Sequence, residues 1–150
     1  MSAHLLRLIP SDPEWQPDEV ALRRAVRVLR ELVPDADRVT AAVHEQVVFI
    51  DAGEDAERVD CPGCGEQLDD DWWAARMERA SGQDYSRLAV TTPCCGTRTT
   101  LNELSYVWPA GFARVELRAV NPGRGWLAED ERRRVELALG HELREVRAHR

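Results

Sequence analysis

Four cysteines are the residues of this chain with the most specific chemistry, and they come in two pairs. Cys61 and Cys64 lie in the stretch CPGCG, and Cys94 and Cys95 are adjacent in the stretch TPCCG. A CPxCG turn is a zinc knuckle, in which the turn directs two sulfurs at one metal and the glycine permits the bend after the second ligand. A closed structural zinc site takes four ligands, so the first pair predicts a second pair.

The adjacent cysteines are suited to supply that second pair. Neighbouring Cα atoms lie about 3.8 Å apart, whereas a disulfide needs roughly 4.4–6.8 Å. Two sulfurs on one tetrahedral zinc need a separation of only about 3.7 Å, and Pro93 and Gly96 favour the required turn. We therefore predict a compressed second knuckle and one structural zinc ion per chain, held by Cys61, Cys64, Cys94 and Cys95. Two alternatives stay open: three cysteines with His44 or an acid as the fourth ligand, and a redox pair.

The segment around the cysteines has the pattern of a zinc ribbon with an added helix. Residues 68–82 begin with acids and end at a glycine, which predicts a helix. Trp73, Met77 and Ala80 share one face of that helix by their spacing. Threonine-rich strands on either side of the second knuckle complete a hairpin. Residues 59–108 are therefore predicted to form an inserted zinc ribbon.

The remaining elements follow the order strand, helix, strand twice. Their ranges are 4–9, 18–33 and 38–51 before the cysteines, and 113–120, 127–140 and 142–149 after them. Within 38–51, a hairpin at His44-Glu45 is predicted, with one bent strand as the alternative. Strict alternation over 113–120 predicts a half-buried strand. The order indicates an α+β fold with a ferredoxin-like βαβ-βαβ core, formed by residues 1–58 and 109–150 around the insert. An unrelated α+β arrangement is the alternative.

The net charge of the chain indicates which kinds of partner the protein can bind. The chain has 20 arginines, no lysine and 27 acidic residues, for a net charge of −7, and residues 1–108 carry −9. Nucleic acid is repelled by such a surface, whereas a basic protein is attracted. No apolar run approaches the roughly 20 residues that span a membrane, and the first residues lack a signal-peptide pattern. We expect a cytoplasmic protein, in which thiols stay reduced.

Aromatic residues are concentrated where the insert rejoins the core. Tyr106, Trp108 and Phe112 lie within residues 101–115. One interpretation is that they pack at the junction between insert and core and stabilise it. The other is that Tyr106 or Trp108, together with Trp72, forms an exposed anchor for a partner protein, as aromatic residues do at binding hot spots.

Several stretches together resemble an uncharacterised family of small bacterial zinc-ribbon proteins. These stretches are FIDAGE, CPGCG, WW, TPCCG, LNELSYVWPAGFARVEL and LREVRAH, so the resemblance runs from about residue 46 to the end. It implies zinc at the four cysteines. It implies no activity and no particular partner.

The sequence favours a binding protein over an enzyme. It contains no convergent set of nucleophile, base and orienting acid, no glycine-rich phosphate loop and no HExxH motif, and four cysteines leave a zinc ion no open position. We expect a non-catalytic adaptor, or an inhibitor of the immunity type, for a basic protein. The alternative is a nucleic-acid-associated zinc ribbon in transcription or RNA handling. Oligomeric state is not indicated by the sequence.

Overall fold

The computed structural model describes residues 2–150, which form three α-helices and eight β-strands. The helices are α1 (Glu19–Leu32), α2 (Asp70–Ser81) and α3 (Glu129–Leu139). The strands are β1 (His4–Pro10), β2 (Arg38–Ile50), β3 (Val59–Asp60), β4 (Ala89–Thr91), β5 (Arg98–Thr100), β6 (Ser105–Tyr106), β7 (Gly111–Val120) and β8 (Leu143–His149). The expected α+β class is confirmed. None of the helices in residues 2–150 has the length and apolar character needed to span a membrane.

The main sheet has four strands in the order β2-β7-β1-β8, and every neighbouring pair is antiparallel. Its two central strands, β7 and β1, come from opposite sides of the cysteine segment. Leu8 of β1 lies opposite Leu117 of β7, for example. The chain on the two sides of the cysteines therefore builds one continuous sheet.

Helices α1 and α3 pack on this sheet through the larger of the hydrophobic clusters. Helix α1 begins where the Asp18 carboxylate accepts a hydrogen bond from the Ala21 N–H at 2.7 Å, which satisfies one of the free donors of the first turn. Leu6 and Leu8 of the sheet and Leu29 of α1 are fully buried together, as is Val135 of α3. This burial explains why the apolar spacing of the two helices predicted them well.

Strand β2 is continuous, so the predicted hairpin at His44-Glu45 is wrong and the bent strand is correct. Val43 pairs with Val115 and Val48 with Ala113, which leaves four residues of β2 opposite one residue of β7. The bulge is bridged by Arg114, whose guanidinium donates to the carbonyl of Glu45 at 2.6 Å. A tight hairpin needs residues that accept positive φ, chiefly glycine or asparagine, and this stretch has neither.

The alternating strand β7 is more deeply buried than a half-buried strand. Glu116, expected on a polar face, is only 2% exposed and accepts hydrogen bonds from Arg118. Arg7 of β1 is 3% exposed, and its guanidinium donates to the carbonyl of Asp51. The segment after β2 runs to the other edge of the sheet, where the Glu54 N–H donates to the carbonyl of His149 at 3.2 Å. This crossing segment contacts Arg7 through the carbonyl of Asp51.

Residues 59–106 form two small sheets, β3-β6 and β4-β5, together with α2. Their apolar side chains build a second cluster, in which Met77 and Ala80 of α2 are buried and Trp73 is partly buried, so the predicted helix face is confirmed. Phe112 of β7 belongs to the same cluster and is 0% exposed. Phe112 therefore ties the small sheets to the main sheet.

Candidate metal centre

The first cysteine pair lies in a tight turn that follows β3. The Gly65 N–H donates to the carbonyl of Cys61 at 2.9 Å, and the Cys61 N–H donates to the carbonyl of Glu66 at 2.8 Å. Gly65 has φ +80°, a conformation that glycine adopts without the steric cost of a Cβ. The turn thus takes the form that the CPGCG sequence predicts.

The second turn, between β4 and β5, repeats the same hydrogen bonds one after another. The Gly96 N–H donates to the carbonyl of Thr92 at 3.0 Å, and the Thr92 N–H donates to the carbonyl of Thr97 at 2.9 Å. Gly96 has φ +74°. The expectation that PCCG forms a second knuckle is met by this backbone.

Aligning the two turns by their equivalent backbone hydrogen bonds explains why Cys94 and Cys95 are adjacent. Thr92 occupies the position of Cys61, and Cys95 occupies that of Cys64. Cys94 takes the place of the third residue of the first turn, Gly63. The second knuckle therefore has a threonine at the usual first ligand position, and its first cysteine is displaced along the turn to the residue before the second.

The four sulfurs converge. All four cysteine Sγ atoms lie within 4.8 Å of one another. Cys61 Sγ is 3.7 Å from Cys95 Sγ, and Cys64 Sγ is 3.4 Å from Cys94 Sγ. These separations fit the edge of about 3.7 Å expected for a tetrahedral four-sulfur site. The cysteines thus form a possible metal site, in which Cys61 is buried and the other three are exposed.

The alternative ligand His44 lies elsewhere. Its Nε2 is 3.2 Å from Glu116 Oε2 on the neighbouring strand. Among the described residues, the group of side chains close enough to bind one metal ion together consists only of cysteines. The geometry therefore favours the four-cysteine set over three cysteines with a histidine or an acid.

Thr92 and Thr97 contact the cysteine cluster, and the sequence analysis did not single them out. Thr92 is 1% exposed, and its Oγ1 lies 3.4 Å from Cys61 Sγ and 3.6 Å from Cys95 Sγ. Its oxygen also accepts the Thr97 N–H at 3.1 Å. Thr97 Oγ1 lies 2.9 Å from Cys95 Sγ. The detectable signal was the alignment of TPCCG on CPGCG, which places a threonine at a cysteine position.

These contacts favour the thiolate form at two of the cysteines. The hydrogen bond with Thr92, followed by backbone N–H groups of the turn, lowers the pKa of Cys61 to about 6. The hydrogen bond with Thr97, followed by that with Thr92, lowers the pKa of Cys95. The thiolate is the form that binds metal. The threonine hydroxyls thus favour the charged form of these two sulfurs.

Cys64 behaves in the opposite way. The N–H of Glu66 lowers its pKa, but its hydrogen bond with Cys94, burial and the other two thiols outweigh that effect and raise the pKa to about 12. Sulfurs this close repel one another when ionised. A bound cation is what would allow all of them to carry charge together.

Gly63 shows how closely the two turns approach. A Cβ at this position would lie 2.0 Å from Thr97 Oγ1 and 3.2 Å from Cys95 Sγ. A side chain at residue 63 would therefore require Thr97 to move. Cys94, at the matching position of the second turn, is exposed instead.

The three aromatic residues predicted to bind a partner are half-buried. The hydroxyl of Tyr106 donates to the carbonyl of Leu101 at 2.6 Å and accepts from Trp73 Nε1 at 3.3 Å. Burial raises the pKa of Tyr106 to about 12. Tyr106 and Trp72 both pack against the second hydrophobic cluster. These are contacts of the junction, and the partner role of both residues stays a prediction.

The contacts of Trp108 differ from those of Tyr106 and Trp72. Its Nε1 donates to the carbonyl of Arg147 on β8 at 2.7 Å, and its ring centroid lies 5.5 Å from that of Trp126. Trp126 is 44% exposed. Trp108 therefore joins the end of the small sheets to the edge of the main sheet, and its partner role also stays a prediction.

Fold and site together define a mixed α+β protein with a cluster of four cysteines suited to a metal ion. No family model, no curated protein and no solved structure matches the chain. The class of the site follows from its geometry alone.

Proposed function

We propose that the four cysteines bind one zinc ion per chain. The observation that carries this proposal is the convergence of the four sulfurs within 4.8 Å at two matched turns. Sulfur-only tetrahedral sites select zinc or iron among the common metals. A cytoplasmic location, also proposed, would keep the thiols reduced and available for the metal.

The zinc is proposed to be structural and the protein non-catalytic. A catalytic zinc ion keeps an open position for water or substrate, and four thiolates leave none. The two turns have matching hydrogen bonds, the Thr92 hydroxyl contacts Cys61, and the turns approach closely at Gly63. These features support a rigid structural site over one that exchanges its ligands. Holding the two turns together is the role that these contacts suit.

Elemental analysis of the purified protein is expected to give one zinc and no iron per chain. Cys95→Ser is expected to weaken zinc binding by more than about 100-fold. Thr92→Val, which removes only an outer hydroxyl, is expected to weaken it by about 10- to 100-fold. Thr91→Val, which removes a hydroxyl from an exposed neighbour, serves as the matched control. Unchanged zinc affinity in Cys95→Ser would remove this residue from the ligand set.

We also infer that the main sheet and its two helices have the ferredoxin-like arrangement. Two strand-helix-strand units, β1-α1-β2 and β7-α3-β8, contribute one central and one edge strand each, in the order β2-β7-β1-β8. This order supports a core of residues 1–58 and 109–150 with a zinc ribbon, residues 59–108, inserted between the halves. Membership of the small bacterial zinc-ribbon family is proposed on the same footing.

The proposed role is that of an adaptor or inhibitor that binds a basic protein. Residues 1–108 carry a net charge of −9, and a zinc ion with four thiolates adds about two further negative charges. Exposed Asp70 and Asp71 extend this charge at the start of α2, close in sequence to the first turn. Such a surface speeds association with a partner of opposite charge.

A basic protein is expected to co-purify with the zinc-loaded chain and to bind less well as salt rises. Asp70→Asn with Asp71→Asn is expected to slow association by about three- to tenfold, because the steering field is weakened. Glu129→Gln with Asp130→Asn makes the same charge change in the first turn of α3 and serves as the control. An acidic partner, or equal effects of both double variants, would contradict this role.

A further inference from the structure

A groove of about 550 Å³ lies between α2 and the β4-β5 hairpin, and none of the four cysteines lines it. Four arginines line it, and no acidic side chain does so among the described residues: Arg76, Arg79, Arg87 and Arg98. These are all the arginines of residues 61–108, a segment whose net charge is −3. The fold has therefore gathered the cations of an acidic segment into one place.

The arginines of the groove lack the carboxylate partner that most of the other arginines in the described residues have. Within residues 2–150, none of the four has a carboxylate oxygen within 4.0 Å, as the ion pairs of the structure show. By contrast, Arg118 and Arg124 each lie 2.6 Å from a glutamate oxygen. Arg76 Nε is buried without a hydrogen-bond partner. Like charges held together without a counterion repel, so an anion is the ligand that this groove suits.

The chemistry of the residues that line the groove indicates which class of anion it suits. Arginine presents a planar fork of donors that matches phosphate oxygens in pairs. Trp72 lies at the groove, with the Arg76 guanidinium 5.9 Å from the centre of its ring. Aromatic rings and guanidinium planes are the surfaces on which nucleobases stack. The groove's volume falls within the roughly 300–1,000 Å³ of small-ligand sites.

We propose that this groove binds a nucleoside phosphate, with the phosphate held by Arg79, Arg87 and Arg98 and the base against Trp72 and Arg76. A free nucleotide and a short single strand of nucleic acid carry this same chemistry. The site lies outside the adaptor role and does not depend on it. The local charge of the groove is positive, whereas the net charge of the chain is negative. The net negative charge opposes binding to long nucleic acids.

The test is a calorimetric titration of the zinc-loaded full chain with AMP, adenosine, inorganic pyrophosphate and the octanucleotide (dT)₈, each at two salt concentrations. AMP or (dT)₈ is expected to bind and adenosine is not. Tighter binding of AMP identifies a free nucleotide as the ligand, and tighter, steeply salt-dependent binding of (dT)₈ identifies a single strand. Either outcome supports the site.

Variants connect the binding to the groove. Arg79→Gln with Arg98→Gln is expected to weaken AMP or (dT)₈ binding by more than about tenfold, since each charged hydrogen bond contributes strongly. Arg27→Gln with Arg133→Gln removes the same charge from exposed positions on α1 and α3, and its effect is expected to stay within twofold. Trp72→Leu is expected to weaken AMP binding more than pyrophosphate binding. Zinc content and circular dichroism check folding, and Arg98→Gln alone replaces any double variant that fails to fold.

The proposal is overturned if neither AMP nor (dT)₈ binds at millimolar concentration, or if the control double variant weakens binding as much as the groove variant does. Pyrophosphate binding as tight as AMP binding, with no effect of Trp72→Leu, would overturn the assignment of a base at Trp72.

Discussion

Removing zinc is expected to raise amide exchange throughout residues 59–106 while the four-stranded sheet keeps its protection. Metal sites of this kind supply on the order of 10 kcal/mol to the folding of small domains. The strands of the insert are only two or three residues long, and an element of about fifty residues buries too little surface to be stable alone. The metal is therefore expected to be the main support of this part of the chain.

The main sheet has its own source of stability. Its larger hydrophobic cluster is built from β1, β2, β7, β8, α1 and α3 and contains no residue of 59–106. Leu6, Leu8 and Leu29 are fully buried in it. Loss of the metal leaves these contacts in place.

Hydrogen-exchange mass spectrometry of zinc-loaded and chelator-treated protein measures this difference. Cys64→Ser, compared without chelator, controls for effects of the chelator itself. Readdition of zinc is expected to restore the protection in the wild type and not in Cys64→Ser. Equal loss of protection in the insert and the main sheet would contradict separate support of the two parts.

Periodic burial made the helices and strands of the core predictable. Helix α1 was predicted at 18–33 and is found at Glu19–Leu32, and β8 was predicted at 142–149 and is found at Leu143–His149. In both cases the apolar face repeats with the period of the element. The bulge in β2 was harder to predict, because it depends on how β7 pairs along its length.

Residues buried by distant parts of the chain were not predictable from local pattern. Glu116 has the spacing of a solvent-facing residue, yet it is 2% exposed. Arg7, Arg118 and His44 surround it from three strands, and the segment after β2 covers Arg7. An alternating pattern identifies two faces of a strand, but it does not identify what passes over them.

The clustering of the four cysteines could be predicted from the sequence because a CPxCG turn is closely tied to metal binding. The outer contacts could not, because Thr92 is recognisable only when the two turns are compared bond for bond. The arginine groove was hidden for a different reason. Arg76 and Arg79 lie on α2, Arg87 precedes β4, and Arg98 is the first residue of β5. Summing charge over a segment of net charge −3 conceals four cations that the fold brings together.

Phe112→Ala is expected to lower the free energy of unfolding of the zinc-loaded protein by about 3–5 kcal/mol, the usual range for a buried phenylalanine. Phe112 is 0% exposed, and its ring centroid lies 5.0 Å from that of Phe49 and 5.4 Å from that of Tyr85. Its neighbours thus come from both the main sheet and the insert. Val43→Ala, at a site 58% exposed on the same sheet, is the control, with an expected loss under about 0.5 kcal/mol.

The same substitution measures how the metal stabilises the junction. When zinc is removed and the insert loosens, Phe112 loses the packing that Tyr85 and the second cluster provide, so its replacement is expected to cost less. Urea unfolding of both proteins, each with and without zinc, gives a thermodynamic cycle whose coupling term is expected to lie between about 0.5 and 3 kcal/mol. An equal loss in both metal states would mean that Phe112 stabilises the main sheet alone. The insert would then be held to the core by other contacts, of which the hydrogen bond from the Phe112 N–H to Asn102 Oδ1 at 2.9 Å is the nearest.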